Sequence, residues 1–330
     1  MTRAEMIRIS RRDILLASAF VCLGGLPTAL AQQLARVRVG KAIDSSFPFA
    51  GLELGVQQGI WRSVGLDLQI SSFRGDGQMQ QALAAGSIDF GFGSGPGMGY
   101  AVKGVPARAV AVIANRPSNM ALVVAKSSGV TKIDDIKGKR IGVSTAGSLT
   151  DWLARNIAVS RQWKLSDIQI VPMGDMRTRL AAMRSGELAG AVTSVEEGYE
   201  IQDAGQGTIL MTFGEMVPNF HTHVVFARDE KIEKDPDLVR RFLKGWFTVA
   251  AYMRAHRAET VKGTAATMRL SEKVVNQAYD LEIGMMSADG QFDPKALEVT
   301  RSSLKDLGIL ETVPATAALY TGKFVPVNLN

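Results

Sequence analysis

Short β-branched and apolar runs alternate along this chain with longer stretches in which apolar residues recur every three or four positions. Val37–Ala42, Leu66–Ser71 and Ile88–Gly93 read as strands, and Gly51–Ser63 and Gln78–Ala85 read as the helices between them. The pattern predicts a β-α-β-α-β unit. A second such unit follows about one hundred residues on, with strands Arg140–Ser144, Ile168–Pro172 and Leu188–Thr193 and helices Ser148–Gln162 and Arg177–Ser185. Gly86 and Gly186 stand just past the second helix of each unit, where glycine accepts a positive φ.

The residues repeat as well as the periods. Gln81-Ala-Leu-Ala-Ala-Gly86-Ser-Ile-Asp-Phe-Gly91-Phe-Gly-Ser94 aligns with Ala181-Ala-Met-Arg-Ser-Gly186-Glu-Leu-Ala-Gly-Ala191-Val-Thr-Ser194 at an offset of 100. Val37-Arg-Val-Gly40 matches Lys139-Arg-Ile-Gly142, and Gly65–Ile70 matches Lys164–Ile170 with a one-residue slip. One such block can arise by chance between Ala/Gly-rich units. Three in one order and spacing point to a duplicated unit. Strands alternating with helices predict mostly parallel sheets with helices on their faces, and ligands bind beyond the carboxyl ends of such strands.

Beyond Phe226 the chain stops repeating and reads as helical. Asp235-Pro236 opens a helix whose apolar face is Leu238, Val239, Phe242, Trp246, Phe247, Ala250 and Met253. Further helices are expected at Glu272–Met285 and Pro294–Leu307. These helices need a sheet to cover, and the first unit is the natural host. The expected organisation is therefore lobe one at 32–125 and 224–330, with lobe two inserted at 126–223. The strand-like stretches Leu122-Val-Val-Ala125 and Val224-Val-Phe-Ala227 are then expected to cross between lobes as a two-strand hinge.

The first 31 residues change the picture of where the chain acts. Arg3, Arg8, Arg11 and Arg12 precede an apolar run from Ile14 to Leu26, and Ala29-Leu30-Ala31 is a small-x-small cleavage site. The run is shorter than the roughly 20 residues of a membrane helix. It is read as a signal peptide cleaved near Ala31, which implies a soluble periplasmic protein. Ser10–Leu16 partly matches the twin-arginine signature, with Ile14 and Leu16 departing from it, so Sec and twin-arginine export both stay open. Cys22 follows Val21 rather than a small residue, which argues against a lipid anchor. It is the only cysteine, so the mature chain is expected to have no disulfide, thiolate metal site or cysteine nucleophile. Removing the leader lowers the formal net charge from +6 to +4, with 34 Lys+Arg against 30 Asp+Glu. That bias favours anionic ligands mildly. No basic stripe with interleaved aromatics suggests nucleic acid.

The strand ends of the two units supply the candidate ligand residues: Asp44, Ser45, Ser46, Phe47, Arg74, Ser94 and Gly95 from the first, and Thr145, Gly147, Ser148, Ser194 and Glu196 from the second. Several precede helices, whose free N–H groups attract carboxylate, sulfonate or phosphate. For each Ser or Thr, plain helix capping competes with ligand contact. Arg74 offers a planar fork to an anion or a solvated surface charge. Phe47 would stack on a ring or pack in the core. Glu196 would accept from an amine or face water. His221, in His221-Thr-His223, is expected as a polar group at the lobe junction. With His256 the only other histidine, no metal site is expected, and no cofactor. There is no P-loop, dinucleotide fingerprint, Gly-x-Ser-x-Gly elbow or His-Glu-x-x-His.

In combination, Glu53-Leu-Gly-Val-Gln-Gln-Gly59-Ile-Trp61, Gly65-Leu-Asp-Leu, Gln81–Gly91, Lys103-Gly-Val-Pro106, Ile136-Lys-Gly-Lys-Arg-Ile-Gly142-Val and Leu307-Gly-Ile-Leu310 resemble the periplasmic substrate-binding proteins of nitrate/sulfonate/taurine-type ABC transporters, thiamine-precursor binders included. The resemblance spans nearly the whole mature chain. It implies the type II periplasmic binding fold: two lobes, each with a mixed, mostly parallel sheet flanked by helices. It further implies a monomeric receptor that closes on a small anionic organic ligand and delivers it to an inner-membrane permease and its ATPase, not an enzyme. Val192-Thr-Ser-Val-Glu196-Glu197 lacks the proline common there in the family, so the family's ligand contacts do not carry over at that place. Two alternatives stand beside this reading: an enzyme on the same fold, and the sensing input of a membrane kinase.

Overall fold

The computed structural model describes residues 34–329. The expected leader, its cleavage near Ala31 and Cys22 lie outside the described residues. Among the described residues, ten strands form two five-stranded sheets. They are β1 (Ala35–Lys41), β2 (Leu66–Ser72), β3 (Phe90–Ser94), β4 (Ala107–Asn115), β5 (Met120–Ala125), β6 (Arg140–Val143), β7 (Gln169–Pro172), β8 (Gly190–Ser194), β9 (Gly207–Thr212) and β10 (His221–Arg228). Sheet one has the order β2-β1-β3-β10-β4 and sheet two the order β7-β6-β8-β5-β9. The repeat seen in the residues is therefore a repeat of topology, and β3 and β8 sit 100 residues apart along their whole length.

Each sheet contains one strand antiparallel to both of its neighbours, β10 in the first and β5 in the second. These two strands are exchanged. β5 follows β4 of lobe one in the chain but completes sheet two, and β10 follows β9 of lobe two but completes sheet one. The crossing was expected within 121–126 and 223–228; it lies instead at 116–119 and 213–220, outside both strands. The expected lobe limits move accordingly: 120–125 belongs to sheet two, and 221–223 to sheet one. The physical reason is burial. β5 is buried along its whole length and β10 along all but Arg228, so each needs ladder partners on both edges. A strand crossing open space would have none. The two linkers are tied together by the Arg116 N–H, which donates to the Phe220 carbonyl at 2.9 Å.

The helices that frame the cleft are α1 (Phe47–Gln57) and α2 (Asp76–Ala84) in lobe one, and α3 (Leu149–Ser160), α4 (Met176–Arg184) and α5 (Val195–Asp203) in lobe two. The C-terminal helices α6 (Pro236–Ala255), α7 (Arg257–Met268), α8 (Glu272–Met285) and α9 (Pro294–Asp306) cover lobe one. Asp235 caps α6 by accepting from the Leu238 N–H, and every residue of its expected apolar face is buried. Phe242 of α6 stacks on Phe90 of β3 at 4.0 Å between ring centroids, and Trp246 meets Phe92 edge-on at 4.7 Å. In lobe two Trp152 stacks on Phe220 at 4.0 Å. Among the described residues no helix is long and apolar enough to cross a membrane.

Candidate functional site

The carboxyl ends of β1, β2 and β3 face those of β6, β7 and β8 across a cavity of about 570 Å³. Both βα units place loop and first-turn residues there, because a parallel strand must turn at its carboxyl end to enter the following helix. Lobe one contributes Asp44, Ser45, Ser72, Arg74, Ser94 and His223; lobe two contributes Ser144, Thr150, Asp175, Arg179, Thr193 and Glu197. Phe49, Phe73, Met120, Leu149, Leu180 and Met268 give the wall a broad apolar part. Among the described residues no group of three or more His, Cys, Asp or Glu is placed to hold a metal ion.

Of the residues expected from sequence, Asp44, Ser45, Arg74, Ser94 and Ser194 line the cavity. The others do not, and each has a local reason. Ser46 is buried at the start of α1. Phe47 is core, edge-on to Tyr279 at 6.1 Å. Gly95 abuts the His221 carbonyl, which a Cβ there would approach to 2.2 Å. Thr145 and Gly147 belong to the contact between lobes. The Thr145 hydroxyl accepts from the Gly77 N–H at 3.3 Å, and Gly147 donates to Asp151 at 2.7 Å. Ser148 caps α3 and shares its hydroxyl with Ser144 and Thr150 at 2.9 and 3.0 Å. Asp175 also caps a helix, α4, while lining the cavity. Glu196 is fully buried and points away from the cavity toward α8. His221 sits at the hinge, where Asn115 Oδ1 lies 2.9 Å from Nδ1 and the Asp293 N–H donates to Nε2 at 3.1 Å. An accepting Nε2 requires the neutral tautomer with hydrogen on Nδ1. Burial holds its pKa down at about 4, against the opposing pull of Asp293.

Sequence reasoning missed Arg179 on the cavity wall. It stands one turn into α4 and is only 3% exposed. One Nη donates to the Val192 carbonyl, and Nε has no partner. Burial lowers its pKa, while Glu197 and Asp175 nearby raise it. A signal for it existed. Arg179 is three residues after Met176 and four before Met183, so it shares the buried face of α4, where a solvated arginine does not belong.

Two of the acidic wall groups, Asp76 and Glu197, are already engaged. Asp76 accepts from the Ser94 N–H and hydroxyl at 2.9 and 3.0 Å, and burial still leaves its carboxyl above the ordinary range. Glu197 accepts from the Ser45 and Thr193 hydroxyls, which joins the lobes deep in the cleft. His223, on β10, packs edge-on against Phe49 at 4.8 Å; burial pushes its pKa down to about 3, so its ring is neutral. Around a ligand, then, the cavity presents hydroxyls, one neutral imidazole, the buried and incompletely satisfied Arg179 guanidinium, the exposed Arg74, Arg177, Arg184, Arg269 and Glu200, and an apolar wall.

The family described as NMT1/THI5 like matches residues 46–260. A protein of Brucella abortus, provisionally named a binding protein, is 27% identical over 266 residues, covering 80% of this chain and 81% of its own. Among solved structures, the ligand-binding component of an ABC-type import system from Staphylococcus aureus, with zinc bound, superposes with a TM-score of 0.75 at 16% identity, covering 89% of this chain and 99% of its own. The alkanesulfonate-binding protein of Xanthomonas axonopodis pv. citri, bound to MOPS, gives a TM-score of 0.74 at 17% identity, with 87% and 99% covered. The two-lobed periplasmic-binding-protein fold expected from the sequence is thereby shown.

Proposed function

The chain belongs to the NMT1/THI5-like family, and from that premise we propose that it is a receptor whose lobes close on a small anionic organic ligand and pass it to an ABC permease and its ATPase. The observation that carries the anionic ligand is Arg179, a buried cation on the cavity wall with an unused Nε donor. A buried guanidinium left short of acceptors is costly, and a ligand carboxylate or sulfonate would supply them through charge-assisted bonds. The apolar wall suits a hydrocarbon or aromatic body behind that head group. The solved import-system component and the alkanesulfonate-binding protein support the transport role by likeness of fold. The reading places the mature protein in the periplasm as a soluble monomer, without catalytic activity.

A thermal-shift screen with alkanesulfonates, aromatic carboxylates, phosphonates and neutral pyrimidines tests this. An anion that raises the melting temperature of the wild type and loses that effect in Arg179→Met supports it, because a ligand that binds only the native state stabilises it. Stabilisation by neutral pyrimidines alone, unchanged in Arg179→Met, would sink the anionic reading.

A further inference from the structure

Outside the cleft, the two lobes meet again where α5 packs against α8. At that contact Glu196 of lobe two and Glu282 of lobe one are both fully buried. Their carboxyl groups lie against each other, with the Asn119 side chain beside Glu282. None of the four carboxyl oxygens has a hydrogen-bond partner of good geometry, and Asn119 Oδ1 has none either. Asn119 belongs to the linker between β4 and β5, so the pair sits at the hinge.

Two carboxylates in contact away from water cannot both be ionised without a counter-charge. None is at hand. β5, β8 and β9, which pack on α5, carry no titratable side chain. On α5 itself Glu197 is held by Ser45 and Thr193, and Asp203 pairs with Lys273 of α8 at 2.8 Å. Tyr199 and Glu200 complete the titratable groups of α5, and Glu200 is itself acidic. On α8, Glu272 is acidic and Asp280 pairs with Arg257 of α7, which also lies over the Tyr279 ring at 4.5 Å. Among the charged groups on the helices against α8, Glu259 and Lys262 lie on α7, Glu53 of α1 pairs with Lys41, and Arg254 of α6 donates to the Met286 and Ser287 carbonyls. Burial pushes both carboxyls up, and the presence of Glu196 raises Glu282 further.

We propose that Glu196 and Glu282 share a proton and form an acid latch between the lobes, so that closing the cleft takes up a proton and alkaline pH releases it. As pH rises the remaining proton leaves. The two charges then repel in a dry contact, and the pair reaches water only if α5 and α8 separate. The ligand site is coupled because the same rotation that parts these helices moves Arg179 and Glu197 away from lobe one. That consequence for ligand capture rests on the receptor reading. The latch itself is a property of the empty protein.

The test therefore uses no ligand. The radius of gyration of the full chain is followed by small-angle scattering from about pH 5 to about pH 9, with the carboxylic C=O band followed by infrared difference spectroscopy. The wild type is expected to expand over the interval in which a protonated-carboxyl band disappears. Glu196→Gln/Glu282→Gln is expected to lose both the expansion and the band. Glu282→Gln alone leaves a single acid beside a neutral amide, so its step moves to lower pH, and this variant serves if the double one fails to fold. Expansion that persists unchanged in these variants, or a wild type that stays compact while the band disappears, overturns the latch. Either result leaves the receptor reading standing, just as a ligand screen without hits would leave the latch standing.

Discussion

Arg74 of lobe one donates from Nε and Nη2 to a single carboxylate oxygen of Asp175 on lobe two, at 3.1 and 2.9 Å. The pair closes the mouth of the cleft. Asp175 also accepts from the Thr178 N–H and hydroxyl as the cap of α4. Burial pushes its carboxyl up, but Thr178 and Arg74 outweigh burial and hold it at about 2. The same carboxylate thus fixes the helix that carries Arg179 and fastens the lobe opposite.

Both partners are more than a third exposed, so the pair contributes little to stability. Arg74→Ala is expected to cost under about 1 kcal/mol in unfolding experiments. Its effect belongs in the dissociation rate, expected to rise by up to about tenfold for any ligand the screen identifies. Stopped-flow release measures it. Because Asp175 is held at about 2, what the pair contributes is present above the ordinary carboxylate range near pH 4 and is lost only as pH falls through about 2.

Arg179→Lys keeps the charge and loses the fork. Affinity for an anionic ligand is expected to fall by about 10- to 100-fold, with Arg179→Met lower still. Calorimetric titration checks the order. The melting temperature of Arg179→Met should change little, since a desolvated charge leaves with the side chain.

Gly75 is placed to test closure without touching the cavity. Its φ is +137°, and a Cβ there would lie 2.5 Å from both Cγ2 and Oγ1 of Thr145 on the opposite lobe. Gly75→Ala is expected to hold the lobes apart, seen as a larger radius of gyration and weaker ligand binding. Adding Thr145→Gly should restore closure in part, the backbone strain at position 75 remaining.

The two buried histidines set an acid limit. Their unfolded rings take up protons near pH 6.5, whereas the folded ones resist until about 4 for His221 and about 3 for His223. What the two neutral rings contribute is therefore complete above pH 6.5 and falls as pH is lowered, by up to about 1.4 kcal/mol per pH unit for each ring. His223→Leu should flatten the acid side of the melting profile measured by calorimetry. This slope opposes that of the Glu196–Glu282 latch, so the closed form should be most stable at mildly acidic pH.

What the sequence by itself determined was order: the repeat, the β-α-β-α-β units, the late helices and the strand ends that would face a cleft. α8 came out at the limits its periodicity predicts, Glu272–Met285, because local apolar spacing suffices to set where a helix begins and ends, even one that packs on other helices. Which strand completes which sheet was decided in three dimensions. Leu122-Val-Val-Ala125 and Val224-Val-Phe-Ala227 have the same local preference wherever they lie, and only the unpaired edges of β8 and β9, and of β3 and β4, draw each into the other lobe. The site divided the same way. Asp44, Ser45, Arg74, Ser94 and Ser194 were legible as strand-end residues. Arg179 and His223 on the cavity wall, and Glu196 turned away toward Glu282, depend on which face of a helix or strand meets the other lobe, and that is set by packing between segments roughly a hundred residues apart.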